Sequence, residues 1–468
     1  MPLILGTNSI KDTGYDVANS LRFDDGGSEY LQRTPSSTGN RKTWTFSTWI
    51  KRSGIGLSAP MNVFGGEDGA SRYTDIMIGT PSGADDTFWF KQDTGTVAEL
   101  RSTLKLRDPS AWYHLVFVYD STNGTADDRM KMYVNGVQLT SFVTRTNVGS
   151  NVDSYVNTSG DNNYVGVYDG SSKWLDGYLC ETTLIDGTAL TPTSFGEYNE
   201  DSPTIWQPID VSGLTFGTNG FYLDFEDSSA LGNDVSGNNN DFTVNNLTAI
   251  DQSTDTCTNN FATWNGVKPL TRGALSEGNL VFTGVSGAET TYSSIGASSG
   301  KWYFEVKGTT NGDRMSVGCA QKFVQGDQHQ QTTNTNGIGY DGVTGSLYVN
   351  NSDVATYSTY SNTDIIGVAL DLDNRKIYFS VNGTWQNSAD PSAGSNGYSL
   401  PSNLTDEDFW FFAISDTYGS GATAWSANFG SPQFSISSGN SDPNGYGNFE
   451  YGTENFYALN TKNLAEYG

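Results

Sequence analysis

The residues able to do covalent chemistry are few. His114 and His329 are the only histidines among 468 residues. His114 sits inside the apolar run Trp112-Tyr-His-Leu-Val-Phe-Val-Tyr119, where a core histidine with satisfied ring nitrogens is the ordinary reading and a general base the rarer one. Gly296-Ala-Ser-Ser-Gly300 has the spacing of a nucleophile elbow, but it runs into the strand-like Lys301-Trp-Tyr-Phe-Glu-Val306. An elbow needs a strand before it and a helix after, so the segment reads as a turn. No P-loop or H-E-x-x-H occurs. Cys180, Cys257 and Cys319 are odd in number, far apart and without ligand spacing. They read as buried free thiols of a chain made in a reducing cytosol, not as a zinc site or a disulfide framework. The chain is not expected to be an enzyme.

Residues suited to binding are easier to find, and they fall in loops, where rigid sandwiches usually carry specificity. Gln321 to Asn334 is a polar stretch with Gln328 and His329 at its centre, rich in amide donors and acceptors that suit sugar hydroxyls or peptide backbone. Tyr340, Trp385 and Tyr418 stand near strand ends, where they form either a stacking rim or a cap on the core. In the first half, Tyr168, Asp169, Lys173 and Trp174 make a short aromatic and charged corner, and Asp24, Asp25 and Glu29 an acidic loop.

The elements that position these loops are strands. Lys131-Met-Tyr-Val-Asn-Gly136 and Lys376-Ile-Tyr-Phe-Ser-Val-Asn-Gly383 each run an apolar strand into Asn-Gly, the pair that most readily takes the positive φ angles of a type I′ hairpin. The 54 glycines, 25 tyrosines, 24 phenylalanines and 11 tryptophans suit short strands joined by many turns, and no long window has helical spacing. The fold class is all-β, with two-sheet β-sandwiches in tandem. Trp49, Trp302, Phe379 and Phe412 then belong to sheet-to-sheet packing. A formal charge of −27, from 52 acidic against 25 basic residues, argues against nucleic acid and anionic membranes as partners. Met-Pro-Leu-Ile-Leu5 lacks the basic flank of a signal peptide, and no apolar run reaches membrane-spanning length.

Leu21-Arg-Phe with its acidic loop, the Phe46 to Trp49 strand, Trp112-Tyr-His-Leu, Tyr133-Val-Asn-Gly and the Asp176-Gly and Asp186-Gly-Thr-Ala-Leu series together resemble a laminin-G-like, concanavalin-A-like lectin domain. Gly300-Lys-Trp-Tyr-Phe-Glu305, Ile366-Gly-Val-Ala-Leu-Asp371 and Phe379-Ser-Val-Asn-Gly383 resemble a SPRY domain. Between them, Gly220 to Ser229 and Asp234 to Val244 resemble the opening of a second laminin-G-like unit whose later strands are missing. That stretch either supplies strands to a neighbour or forms an ordered bridge. The division expected is an N-terminal arm (1–14), a jelly-roll laminin-G-like sandwich (15–198), an Asn/Gly-rich bridge (199–272), a SPRY-like sandwich (273–430) and an aromatic C-terminal docking segment (431–468). Laminin-G-like domains often bind calcium through oxygen ligands, which leaves Ca2+ open as a cofactor, although no run here has the ligand density of a dedicated loop.

The combined architecture, with Asp108-Pro-Ser-Ala-Trp-Tyr-His114, Leu190-Thr-Pro-Thr-Ser-Phe-Gly196 and Tyr457-Ala-Leu-Asn-Thr-Lys-Asn-Leu464, resembles virion proteins of tailed phages of marine bacteria. The resemblance implies a virion protein made in the host cytoplasm and released at lysis. It would be a tail fibre or spike subunit that binds host surface saccharide or protein, with other virion proteins and further copies of itself as partners. The alternatives are a capsid decoration protein and, less favoured, a secreted glycan hydrolase.

Overall fold

A computed structural model describes residues 14–57, 59–69, 72–80, 83–285, 288–310, 315–321, 337–401, 409–416 and 423–468. Strand makes up 44% and helix 5% of the chain, as the lack of any long window with helical spacing leads one to expect. Both Asn-Gly pairs close hairpins with positive φ at each central residue: 46° and 79° at Asn135 and Gly136, 48° and 75° at Asn382 and Gly383. No helix among the described residues is long and apolar enough to cross a membrane.

The chain divides into two compact units, with the division between Thr258 and Asn259. Residues 199–258 of the stretch read as a bridge or a supplier of strands are part of the first unit, and 431–468 are part of the second.

In the first unit two eight-stranded antiparallel sheets face each other. One runs Val137–Gln138, Met130–Val134, Trp112–Asp120, Thr43–Arg52, Gly177–Asp186, Ser20–Phe23, Gln252–Ser253, with Phe221–Leu223 added to Gly177–Asp186. The other runs Phe142–Thr146, Val97–Lys105, Gly83–Asp93, Tyr73–Thr80, Met61–Glu67, Asn162–Val165, Tyr30–Arg33, Thr243–Asn245. Three of these strands come from the stretch read as a bridge. Between the sheets lie Trp44, Phe46, Leu115, Phe117, Phe64 and Phe90, with the Phe46 and Phe64 rings stacked at 4.4 Å.

The alternate residues of the central strands are buried too. Val116, Val118, Ile185, Tyr133 and Tyr222 of the added strand pack under Phe195, Val211 and Phe216, while Trp49 and Cys180 pack under Trp206. A segment from residue 195 to 216 therefore roofs the outward face of the first sheet. This explains why Trp112 to Tyr119 is apolar on both faces. It also corrects the placing of Trp49 between sheets, since its ring packs on the outward face.

The second unit repeats the plan. Its nine-stranded sheet centres on Lys301–Thr310, Ile365–Asp371, Lys376–Val381 and Thr423–Asn428, and its six-stranded sheet on Phe411–Asp416, Met315–Ala320 and Ile338–Asp341. Trp302, Phe304, Phe379, Phe412 and Trp425 fill the space between. The C-terminal aromatics dock on their own unit. Phe449, Phe456 and Ala458 cover Tyr303, Ala369 and Tyr378 on the outward face, and Tyr457–Ala458 adds a parallel bridge to Lys301–Thr310. The buried Glu305 carboxylate accepts from Glu450 N at 2.9 Å and Tyr451 N at 2.8 Å, which anchors this second roof. The chain ends in a helix, Thr461–Tyr467, capped by Asn460. The Leu3 to Leu5 arm lies outside the described residues.

Candidate functional site

Loops at one end of the first sandwich enclose an open cleft of about 670 Å³, lined by Thr38, Gly39, Asn40, Arg41, Lys42, Asp153, Asp186, Gly187, Gly217 and Thr218. Its floor is Asp186, the last residue of the central strand Gly177–Asp186. The carboxylate accepts from Asn40 N at 2.7 Å, Asn219 N at 2.9 Å and Asn157 Nδ2 at 3.1 Å, so its position is fixed before any ligand arrives. The loops approach it this closely because of glycine. A Cβ on Gly39 would lie 2.4 Å from Asp186 Oδ2, and one on Gly217 2.1 Å from Asp186 O. On the wall, Asp153 draws Arg41 to 3.7 Å and Lys42 to 4.0 Å, while Arg41 Nε also donates to Ser154 O at 2.7 Å. Exposed Thr218 and half-exposed Asp153 complete a rim of fixed donors and acceptors. Such a surface can take a ligand rich in hydroxyls and offers no anchor for an apolar one.

The corner expected at Tyr168 exists on the outward side of the other sheet. Lys173 Nζ stands 3.4 Å over the Tyr168 ring, and Tyr73 meets that ring edge-on at 5.5 Å. Asp169 is occupied locally, accepting from Ser171 N and from the Ser171 and Ser172 hydroxyls at 2.9 to 3.0 Å. Burial opposes its ionisation, yet these bonds hold the carboxyl below its usual range. Trp174 is half-buried, with its indole N–H enclosed and without a hydrogen-bond partner. Beneath lies Asp75, 1% exposed, neither of whose carboxyl oxygens has a hydrogen-bond partner. Burial pushes it well above the ordinary carboxylate range and pulls Lys173 down. Tyr168, Asp169 and Lys173 are thus brought together, but the carboxylate is already used by its own turn.

Elsewhere the sequence-predicted residues fare differently. Tyr340 is fully buried, with rings of Tyr357, Tyr360 and Phe379 around it and its hydroxyl donating to Ser358 O. It belongs to the core and not to a rim, because its position in Ile338–Asp341 alternates inward. Trp385 is half-buried and lies edge-on to Tyr303 at 6.5 Å. Gln328, His329 and Tyr418 lie outside the described residues. No group of three or more His, Cys, Asp or Glu among the described residues is arranged to hold a metal ion.

His114 is the satisfied core histidine. Trp206 Nε1 donates to its Nδ1 at 3.0 Å, so the proton must sit on Nε2, which donates to Ser47 Oγ at 2.9 Å. Burial pulls its pKa down to about 3. The Gly296 to Gly300 stretch is a bend leading into Lys301–Thr310. Sequence reasoning missed the cleft because Asn40, Asp153 and Thr218 are ordinary loop residues in isolation. The signal available was the Asp186-Gly187 step at the end of a strand.

Residues 25–194 match the family model of the Concanavalin A-like lectin/glucanases superfamily, and residues 301–393 match that of the SPRY domain. The chain carries a concanavalin A-like domain and a SPRY domain. No curated protein matches it. Among solved structures, the SPRY domain of human HERC1 is similar at 18% identity over 32% of this chain and 87% of its own, with a TM-score of 0.26. A SAP-like pentraxin from Limulus polyphemus is similar at 17% over 38% and 80%, with a TM-score of 0.29. A candidate carbohydrate binding protein from Bacteroides ovatus is similar at 16% over 50% and 61%, with a TM-score of 0.34. Likeness at this level says nothing of what this chain binds.

Proposed function

We propose that the chain is a non-catalytic saccharide-binding protein whose concanavalin A-like domain takes its ligand in the cleft floored by Asp186. The observation that carries this reading is the preorganised carboxylate at the base of an open, polar cleft of about 670 Å³. A ligand there replaces water on groups already held in place, which limits the ordering cost of binding. Single sites are weak, since sugar hydroxyls must be desolvated and offer little apolar area. Display in several copies compensates through effective concentration. The sequence resemblance to tailed-phage proteins supports a virion surface as the place of that display, as a tail fibre or spike subunit among other virion proteins, with host surface glycan as the target.

The test is binding of purified, multimerised protein to immobilised bacterial surface glycans. Asp153→Ala and Lys42→Ala alter the cleft wall at half-exposed positions and should weaken binding about tenfold, the loss of one or two hydrogen bonds to charged groups. Tyr168→Ala and Trp174→Ala should weaken it less. Absence of binding, or release of sugar fragments, overturns the reading. Labelling particles at this protein separates a tail position from a capsid one, with label at one vertex in the first case and over the whole shell in the second.

A further inference from the structure

The first unit ends in a short exit segment, residues 252–258, that is fastened across the sandwich. Gln252–Ser253 pairs with Ser20–Phe23, and Asp255 meets Lys51 Nζ at 2.6 Å and Trp112 Nε1 at 3.1 Å in a buried ion pair. Val17 N donates to Thr258 Oγ1 at 3.0 Å. Inside this closure, the thiol of Cys180 donates to the sulfur of Cys257 across 3.7 Å, which is van der Waals contact between the two sulfurs. Cys180 is fully buried on the central strand Gly177–Asp186, whereas Cys257 is half-buried. Trp49, Trp206 and Val17 enclose the pair, and nothing is interposed between the sulfurs. Their separation of 77 residues hid the pairing from the sequence.

We propose that Cys180 and Cys257 form a dithiol that closes to a disulfide when the protein meets an oxidising pool of small disulfides, turning the non-covalent closure of the first unit into a covalent one. The exposure difference sets the order of events. The Cys257 thiolate attacks one sulfur of a small disulfide RSSR, forming a mixed disulfide, and RS⁻ leaves to take up the proton Cys257 has given up. Cys180 then loses its proton to solvent and attacks the Cys257 sulfur, forming the Cys180–Cys257 bond and expelling the second RS⁻, which is protonated to RSH. The balance is protein dithiol plus RSSR to protein disulfide plus two RSH, with two electrons passing to the small disulfide. Burial, and after it the neighbouring Cys180, push the Cys257 thiol well above its ordinary range. Thiolate is therefore scarce at neutral pH, and closure should speed up about tenfold per pH unit from about pH 7 to 9. Cys319, buried in the core of the other unit, is the internal control.

The experiment incubates the purified full chain with oxidised glutathione at about pH 8.5. The expected result is an intact mass lower by about 2 Da, a Cys180–Cys257 cross-linked peptide in a non-reducing digest, and one remaining free thiol. Closing a loop of this length should raise the melting temperature of the first unit by about 5–15 °C, reversed by dithiothreitol. The gain should persist in Cys319→Ala and vanish in both Cys180→Ser and Cys257→Ser. Three free thiols after incubation, a glutathione adduct on Cys257 that does not resolve, or a bond between molecules would overturn the proposal. None of these outcomes depends on saccharide binding.

Discussion

The two hairpins make the same turn and are held down differently. In both, the asparagine side chain accepts from the backbone of a neighbouring strand, Asn135 from His114 N and Asn382 from Ile365 N. An aromatic ring from a later segment lies against each glycine. A Cβ on Gly136 would be 2.5 Å from the Trp206 ring, and one on Gly383 2.6 Å from the Tyr451 ring. In the first unit the ring itself is the anchor, buried and bonded to His114. In the second the anchor is backbone: Glu305 receives the amides of Glu450 and Tyr451, and the tyrosine ring stays half exposed. A sheet whose outward face is apolar needs a roof, and side-chain or main-chain fastening serves equally well.

Removing the second roof is the severest way to break the parallel. Deleting residues 432–468 strips Phe434, Phe449, Phe456, Leu459 and Leu464 from the unit. At about 2 kcal/mol for each buried side chain the loss is about 10 kcal/mol, comparable to the whole stability of a domain. Calorimetry should show the second unit's transition gone and the first unit's unchanged. A smaller intervention separates the two fastenings. Trp206→Ala should cost about 3–5 kcal/mol and Tyr451→Ala about 1–2 kcal/mol in denaturant unfolding; equal costs would refute the distinction.

Acidity gives the gentlest comparison. Burial raises Glu181 in the first unit to about 8 and Glu305 in the second to about 7. Both folded values exceed the unfolded ones, so each contribution is complete below the unfolded pKa and is lost as pH rises through the folded value. Lowering the pH from about 8.5 to about 6.5 should gain about 2 kcal/mol through Glu181 and about 1 kcal/mol through Glu305, and Asp176, which burial also raises to about 8, adds to the gain of the first unit. His114, whose pKa is lowered, opposes this trend only below its unfolded value of about 6.5. Separate melting curves for the two transitions check the order.

What the sequence disclosed was local. Asn-Gly at 135 and 382, and apolar runs such as Trp112 to Tyr119 and Ile366 to Leu370, carry their conformation in adjacent residues. What it concealed depends on partners far along the chain. Nothing near Phe195 or Trp206 says that they cover Val116 and Trp49, and nothing near Asn40 says that it bonds Asp186 across 146 positions. Tyr340, near a strand end, could be read as a stacking rim or as a cap on the core, and its burial follows from which face the sheet turns inward. The Asn/Gly-rich segment after residue 199 left two readings open, a supplier of strands to a neighbour or an ordered bridge, and only the fold shows that it contributes Phe221–Leu223, Thr243–Asn245 and Gln252–Ser253 to the first sandwich.

That last strand has a consequence in time. Ser20–Phe23 lies between Gly177–Asp186 and Gln252–Ser253, so the first described strand waits for the last strand of its own unit before both of its edges are paired. At synthesis rates of about 5–20 residues per second the wait exceeds about ten seconds, long enough for an open edge to meet another nascent chain. Yield from rapid expression should therefore fall more steeply with expression rate than it does for a variant permuted to bring residues 20 and 253 together.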